Sequence, residues 1–125
     1  MAHRLEGIVT PLVTPLLSLA ALDSAGLERL IEEQVRGGVS GLFILGTTGE
    51  GPALPQALQR DLISESVRIN RRRLPLLVGI SSASVMDSVA LGRHAKQAGA
   101  TAVVAAPPCY LPAEPDELET FYRFL

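Results

Sequence analysis

Four short apolar runs alternate along this chain with stretches that have the periodicity of amphipathic helices. Each run is short enough for a strand and is bounded by residues typical of turns, so the runs predict β-strands. They lie at Gly7–Val9, Leu42–Leu45, Leu76–Ile80 and Ala102–Ala106. Unbroken apolar strands are typical of a parallel sheet covered on both faces, and the strand–helix alternation favours right-handed βαβ units. The sequence therefore predicts an α/β protein.

Capping residues place the four helices. Helices begin at side chains that accept from free N–H groups and end at residues that tolerate a left-handed backbone. The predicted limits are Asp23 or Ser24 to Gly37–Gly38, Pro55 to Asn70, Ser84 to Gly99, and Pro115 onward.

The segment GLFILGTTGEG, Gly41–Gly51, combines the second strand with a glycine-rich loop. Gly46 and Gly49 are interpreted as the residues that let the backbone turn sharply after the strand. Glu50 is interpreted as a cap or brace of the loop.

Thr47 and Thr48 lie where this loop leaves the sheet. Two hydroxyls and successive free N–H groups form a compact donor cluster that can hold a carboxylate or a phosphate. The alternative is that Gly and Thr serve only as turn and cap residues between a strand and a helix. The hypothesis is a site for a small anionic substrate.

Length and charge exclude several other classes of protein. A chain of 125 residues with 47% hydrophobic and 19% charged residues is typical of one globular domain. A net charge of −2 gives no basic field for nucleic acid or an anionic membrane. Cys109 is the single cysteine, which excludes an intramolecular disulfide, and His94 lacks a ligand partner at metal-binding spacing. With no signal peptide in the first residues, we expect a cytoplasmic protein.

Four motifs in order resemble the dihydrodipicolinate synthase and N-acetylneuraminate lyase family. They are TPLVTP near the first strand, GTTGE after the second, GIS after the third and PPCY after the fourth. The resemblance implies a TIM (β/α)8 barrel and a class I lyase or aldolase. Such enzymes form a Schiff base between a lysine and pyruvate or another 2-keto acid, without a cofactor or metal. It also implies a homo-oligomer, a dimer or tetramer.

The resemblance assigns roles to three residues. Thr47 and Thr48 match the pair that grips the substrate carboxylate. Tyr110 in PPCY matches the tyrosine that forms a proton relay with the first threonine, here Thr47. The alternative for Tyr110 is that it packs a loop against the barrel rim, and Tyr122 is interpreted as simple helix packing.

The chain supplies about half of a barrel, since the complete fold has eight units and about 250 residues. We therefore expect residues 1–125 to be a partial barrel, truncated within its fourth helix, with unpaired edges on its first and fourth strands. Lys96 is the only lysine, and its place in the last turn of a helix favours the charged ammonium and argues against imine formation. The catalytic lysine is expected outside this chain, which is then inactive alone.

Two alternative functions remain. One is a non-catalytic half-barrel that binds a carboxylate or a partner chain. The other is a nucleotide-binding domain, which ranks lower because GTTGEG lacks the P-loop lysine and the dinucleotide-binding spacing. Arg71–Arg73 are interpreted as solvated residues that complement a helix dipole. The sequence does not identify the aldehyde co-substrate.

Overall fold

Parallel strands with helices packed on one side form the core of the structure, a computed structural model that describes residues 5–108 and 112–125. The strands in chain order are β1 (Val9–Pro11), β2 (Leu16–Ser18), β3 (Ala21–Leu22), β4 (Gly41–Ile44), β5 (Leu76–Gly79) and β6 (Ala102–Val104). The α-helices are α1 (Ser24–Arg36), α2 (Gln56–Asn70), α3 (Val85–Ala98) and α4 (Pro115–Phe124), and a short 3-10 helix spans Gly51–Ala53.

β1, β4, β5 and β6 form one parallel sheet in that order. The register pairs Leu42 with Leu76 and Val78 with Val103. Each neighbouring pair of these strands is joined through one of the helices α1, α2 and α3. The described residues thus form consecutive β/α units with a parallel sheet, as the sequence predicted.

The strand limits differ from the predicted ones. The first strand is Val9–Pro11 and not Gly7–Val9, because Gly7 has φ +81° and strand backbone needs negative φ. β4 ends at Ile44, since Leu45 has φ +59°. β5 and β6 are also shorter than predicted.

The helices begin where capping side chains accept hydrogen bonds. Asp23, and not Ser24, caps α1, and its carboxylate accepts from the Gly26 N–H at 2.8 Å. At the start of α3, Ser84 Oγ accepts from the Asp87 N–H at 3.3 Å. These contacts confirm that both helix starts could be predicted from local sequence.

The apolar core lies between the sheet and the helices α1, α2 and α3. Its buried side chains are Leu42, Ile44, Leu76 and Val78 from the sheet, and Leu27, Ile31, Leu62, Ile63, Leu91 and Ala95 from the helices. α4 has no buried residue. The core is therefore one sheet–helix interface.

An arginine just beyond α2 links that helix to α1. Two guanidinium nitrogens of Arg73 bind the Glu32 carboxylate at 2.6 and 2.9 Å, and Arg73 also donates to the carbonyl oxygens of Ile69 and Asn70. The hydrogen bond from Arg73 holds the pKa of Glu32 below its usual value of 4.5. The interpretation of Arg71–Arg73 as solvated residues therefore misses a tertiary contact.

A short antiparallel hairpin, β2–β3, follows β1 and was not predicted from the sequence. β2 pairs with β3, with Leu16 opposite Leu22. Leu19 and Ala20 form its turn, where the usual Gly, Asn or Asp is missing. Leu17 and Leu19 are 74% and 90% exposed, so the hairpin presents apolar side chains to solvent.

Candidate active site

The GTTGEG loop begins with a strained residue at the C-terminal end of β4. Leu45 is buried, with 4% of its surface exposed, yet it has the left-handed φ of +59° that leucine rarely adopts. Glu50 has φ +52°. The backbone turns sharply after the strand, as the sequence predicts, but Gly46 and Gly49 do not have positive φ, and the left-handed residues of the turn are Leu45 and Glu50.

The glycines of the loop permit close backbone packing instead. A Cβ at Gly49 would lie 2.9 Å from the Leu12 carbonyl oxygen, in the segment after β1. A Cβ at Gly51 or at Gly79 would overlap the Leu45 carbonyl. The loop therefore packs closely against the residues that follow β1 and against the end of β5.

Hydrogen bonds hold the same loop from two sides. Thr14 Oγ1 donates to the Gly49 carbonyl oxygen at 2.7 Å. Gln59 Nε2, from α2, donates to the carbonyl oxygens of Gly51 at 2.9 Å and Leu54 at 3.1 Å. Inside the loop the Gly51 N–H donates to the Gly46 carbonyl at 3.1 Å. Its backbone is thus fixed by the segment after β1, by α2 and by hydrogen bonds within the turn.

Thr47 and Thr48 occupy the exposed part of this braced loop. Within the described residues, neither hydroxyl has a hydrogen-bond partner, and neither backbone N–H donates to a protein acceptor. The carbonyl of Thr47 accepts from the Glu50 N–H at 3.0 Å, which closes the turn. The loop thus presents two hydroxyls and two N–H groups at the carboxyl end of a parallel strand, where α/β proteins bind ligands.

Three cavities formed by the described residues are not lined by Thr47 or Thr48. One of about 310 Å³ lies beside the loop, between Pro52, Gln59 and Ser81.

The Ser81 hydroxyl links the loops that follow β5 and β6. Ser81 Oγ, after β5, accepts from the Ala106 N–H, after β6, at 2.8 Å. Neither Thr14 nor Ser81 was given a role from the sequence, although they lie in the motifs TPLVTP and GIS. The signal that could have identified them is a hydroxyl a few residues beyond the end of a parallel strand, β1 for Thr14 and β5 for Ser81.

Tyr110 and Cys109 lie outside the described residues, so the structure does not test the relay between Tyr110 and Thr47. Tyr122 OH donates to the Ala105 carbonyl at 3.3 Å, and the Tyr122 ring meets Phe121 edge-on at a centroid distance of 5.2 Å. These contacts fit the interpretation of Tyr122 as a packing residue.

Lys96 lies in the last turn of α3, in the helix layer and not at the carboxyl end of the sheet. His94 Nε2 lies 3.1 Å from Ser64 Oγ and 3.2 Å from the Arg60 carbonyl oxygen, so this ring ties α3 to α2. Among the described residues, no group of three His, Cys, Asp or Glu side chains is placed to hold a metal ion. None of their helices combines the length and apolar character needed to cross a membrane.

Comparison with known proteins gives a consistent set of relatives. The profile of the dihydrodipicolinate synthetase family matches residues 4–125. The 4-hydroxy-tetrahydrodipicolinate synthase of Salinibacter ruber is 37% identical over 112 residues, which cover 88% of this chain and 37% of that protein. The probable 2-dehydro-3-deoxy-D-pentonate aldolase YjhH of Escherichia coli is 32% identical over 120 residues, covering 96% of this chain and 40% of the relative.

Solved structures match the fold closely. Dihydrodipicolinate synthase of Bacteroides thetaiotaomicron superposes with a TM-score of 0.92 at 49% identity, covering 98% of this chain and 41% of the other. YagE of Escherichia coli, solved in complex with pyruvate, superposes with a TM-score of 0.90 at 30% identity. The match covers 94% of this chain and 39% of the YagE chain. The chain spans about two fifths of the length of these proteins.

Proposed function

The chain belongs to the dihydrodipicolinate synthetase family, and from this premise we propose that it is the N-terminal part of a Schiff-base lyase or aldolase acting on pyruvate or a related 2-keto acid. Pyruvate is bound in the YagE structure, and one relative is described as an aldolase. A protonated imine is an electron sink, so it stabilises the carbanion formed when the adjacent carbon–carbon bond is made or broken. The substrate must be held by its carboxylate while this happens.

The observation that carries the proposal is the donor cluster of Thr47 and Thr48. Both hydroxyls and both N–H groups lack protein partners in the described residues, while Thr14, Gln59 and the loop glycines fix the backbone that carries them. Donors held in place before binding lose little entropy when a ligand arrives. A carboxylate needs several such donors, because it has two oxygens with no proton to give.

The attacking amine is proposed to lie outside these 125 residues. Lys96 is the only lysine of the chain, and it is exposed in the helix layer at the C-terminal end of α3. A nucleophilic amine must lie beside the substrate carbonyl, and Lys96 is in the last turn of α3 and not at the carboxyl end of the sheet, where the threonines lie. Tyr110 is proposed to relay a proton together with Thr47, since a phenol needs a hydrogen-bonded neighbour for that role.

A non-catalytic half-barrel that binds a carboxylate or a partner chain is the second candidate, and the exposed threonine cluster supports it equally. Both candidates use the threonine cluster, so they differ only in the lysine. Sequencing the coding region beyond the Leu125 codon separates them. A continuation with a lysine on a later strand supports the lyase, and a stop codon directly after Leu125 supports the half-barrel.

The threonine site is tested by titrating the isotope-labelled chain with pyruvate and following backbone amides by NMR. We expect shifts at residues 46–51, and at least tenfold weaker binding in Thr47→Val and Thr48→Val. A hydrogen bond to a charged group contributes about 1.5–3 kcal/mol, and 1.4 kcal/mol is tenfold in affinity. Thr120→Val is the matched control, since Thr120 is an exposed threonine on α4. Unchanged titrations in the two loop variants would overturn the site.

The exclusion of Lys96 has its own test. The chain is incubated with pyruvate, reduced with borohydride and digested, and the peptides are weighed by mass spectrometry. We expect the Lys96 peptide to be unmodified. A reduced pyruvate adduct on Lys96 would make that residue the nucleophile and would remove the need for a lysine elsewhere.

A further inference from the structure

Phe43 lies in β4 on the side of the sheet that faces away from the helices. Its neighbours along the strand, Leu42 and Ile44, are buried against the helices, and successive strand residues point to opposite faces of a sheet. Directly paired residues of a parallel ladder share a face, so Pro11 of β1 and Leu77 of β5 lie on either side of Phe43. We call these three residues the apolar floor.

The face that carries the apolar floor corresponds to the interior of a barrel. In a (β/α)8 barrel the helices form the outer ring, and the site lies at the carboxyl ends of the strands. Pro11 is the last residue of β1, and Phe43 is the last but one of β4. The apolar floor therefore lies directly below the end of the sheet that carries the GTTGEG loop.

The Phe43 ring packs against the backbone that leads into the GTTGEG loop. A Cβ at Gly46 would lie 2.6 Å from Phe43 Cε1 and 2.8 Å from Phe43 Cζ, so glycine at this position lets the ring approach the backbone closely. Thr47 is the next residue, and its α-carbon is about 3.8 Å further along the chain. The ring thus lies one residue away from the first threonine of the carboxylate site. These contacts join β4 to its own loop, so they do not depend on strands that follow β6.

The apolar floor offers no polar side-chain group to a ligand. The side chains of Pro11, Phe43 and Leu77 carry no hydrogen-bond donor, acceptor or charge, and proline also lacks the backbone N–H. An apolar group gains free energy when it is buried on such a surface, whereas a polar group without a partner loses it. The threonine loop and the apolar floor therefore suit the two different ends of one small acid.

We propose that Phe43 determines which group the 2-keto acid carries at C3, the carbon beyond the keto group. This inference rests on the proposed carboxylate site: with the acid held by Thr47 and Thr48, C3 lies against the Phe43 ring. The methyl group of pyruvate gains an apolar contact there. A hydroxyl, an amino group or a second carboxylate in its place would be buried against the ring without a partner. The site therefore prefers keto acids with a small apolar group at C3.

A purely structural role of Phe43 predicts a different pattern of binding. If the ring only supported Gly46, its removal would weaken the binding of every carboxylate by the same factor, because all of them use the same threonine donors. If the ring contacts C3, its removal weakens only those ligands that have an apolar group at that position. Oxamate separates the two cases, since it has the shape of pyruvate with an amino group in place of the methyl group.

Titrations with pyruvate and with oxamate form the first test, followed by NMR at the backbone amides of residues 46–51. We expect the parent chain to bind pyruvate more tightly than oxamate. Phe43→Ala should bind pyruvate about fourfold more weakly, the loss expected when one methyl group leaves an apolar contact, and oxamate unchanged. Phe43→Leu keeps an apolar side chain and should retain the preference for pyruvate. Phe124→Ala is the control, because Phe124 is an exposed phenylalanine of α4.

The outcomes of the titrations distinguish this inference from the proposed function. A Phe43→Ala chain that folds by circular dichroism and keeps the parent's preference for pyruvate would overturn the role of Phe43. Equal affinities of the parent for the two ligands would do the same, and both results would leave the carboxylate site intact. If neither ligand shifted the amides of residues 46–51, the carboxylate site would be removed and the role of Phe43 with it.

The contact itself is measured in the unsubstituted chain, so this second test does not depend on the folding of a variant. The chain is prepared with isotope-labelled phenylalanine, and nuclear Overhauser effects are recorded from the methyl protons of pyruvate. The chain has three phenylalanines, Phe43, Phe121 and Phe124. We expect an effect at the ring of Phe43 and none at the two rings of α4. Pyruvate that shifts the amides of residues 46–51 without an effect at the Phe43 ring would contradict the inference.

Discussion

Leu45 is the residue on which the geometry of the threonine loop depends. A left-handed backbone costs a leucine roughly 1–2 kcal/mol, and such strain persists only where the surroundings over-determine it. Here the surroundings are backbone: Gly51 and Gly79 leave room for the Leu45 carbonyl, and the Leu45 side chain is anchored in the core. The direction in which Thr47 and Thr48 leave the sheet follows from this one peptide.

Adding a methyl group at either glycine is expected to destabilise the fold. Gly51→Ala and Gly79→Ala each force a Cβ onto the Leu45 carbonyl, and overpacking of this kind typically costs about 1–3 kcal/mol. Gly92→Ala is the control, because its Cβ would meet only Ile80 Cδ1 at 3.5 Å and alanine favours a helix interior by about 0.5–1 kcal/mol. Urea unfolding of the three variants measures the difference. Equal stabilities for Gly51→Ala and Gly92→Ala would contradict the role given to Leu45.

At this scale the sequence predicts the chemistry better than the geometry. The threonine pair and its place after a buried strand could be inferred from the order of residue types. The strained residue could not, because leucine disfavours positive φ, and the contacts around its carbonyl include Gly79, which is distant in sequence. Thr14 was missed for the same reason, since its partner Gly49 is 35 residues away.

Among the secondary-structure elements, α1 and α2 are joined by a pH-sensitive contact. The pKa of Glu32 is lowered in the folded state by the hydrogen bond from Arg73. A lowered folded pKa adds stability above the unfolded value of 4.5, and that stability is lost as the pH falls through the folded value. Glu32→Gln is therefore expected to lower the free energy of unfolding at neutral pH, and to lower it by less at an acid pH below 4.5.

Glu33→Gln provides the comparison on the same helix. Glu33 pairs with Arg36 one turn away on the same helix, so this ion pair does not connect two elements. Both side chains are largely exposed, and exposed ion pairs contribute little to stability. Its substitution should have a smaller effect at neutral pH than Glu32→Gln, measured by denaturant unfolding at both pH values. If Glu32→Gln lowered the free energy of unfolding by the same amount at both pH values, the ion pair with Arg73 would be ruled out as the cause.

Elements with local signals were predictable and the hairpin was not. α1 and α3 begin at Asp23 and Ser84, where a cap a few residues from its donor suffices. The β2–β3 hairpin lies in a leucine-rich stretch whose turn, Leu19–Ala20, has no residue with a preference for hairpin turns. Its formation depends on tertiary packing, which periodicity does not reveal.

Across the whole molecule, stability is expected to be uneven. β4 and β5 are the central strands and have the most buried side chains, whereas the hairpin is two-stranded and exposes Leu17 and Leu19. Native-state hydrogen exchange should therefore show amides of the hairpin exchanging about 100-fold faster, or more, than those of β4 and β5. Equal protection in both regions would mean that the hairpin unfolds only with the core.

The parallel fold could be predicted at this scale because strand–helix alternation and four ordered motifs agree. The face of the sheet that the helices leave uncovered could be anticipated only in part: the sequence indicates apolar strands, but the strand register decides which side chains lie on that face. The weak packing of α4 is also a property of the three-dimensional arrangement. Its Phe121 and Tyr122 occur in an ordinary amphipathic pattern.

The bracing of the threonine loop by three strands has a practical use. Thr14 reaches it from the segment after β1, Leu45 belongs to the end of β4, and Gly79 closes on it from β5. A fluorine or isotope label at Thr48 would consequently report on whether the sheet has assembled, with no ligand added. Such a spectroscopic marker would register folding and unfolding of the sheet from a solvent-accessible position that a label can occupy without disturbing the interior.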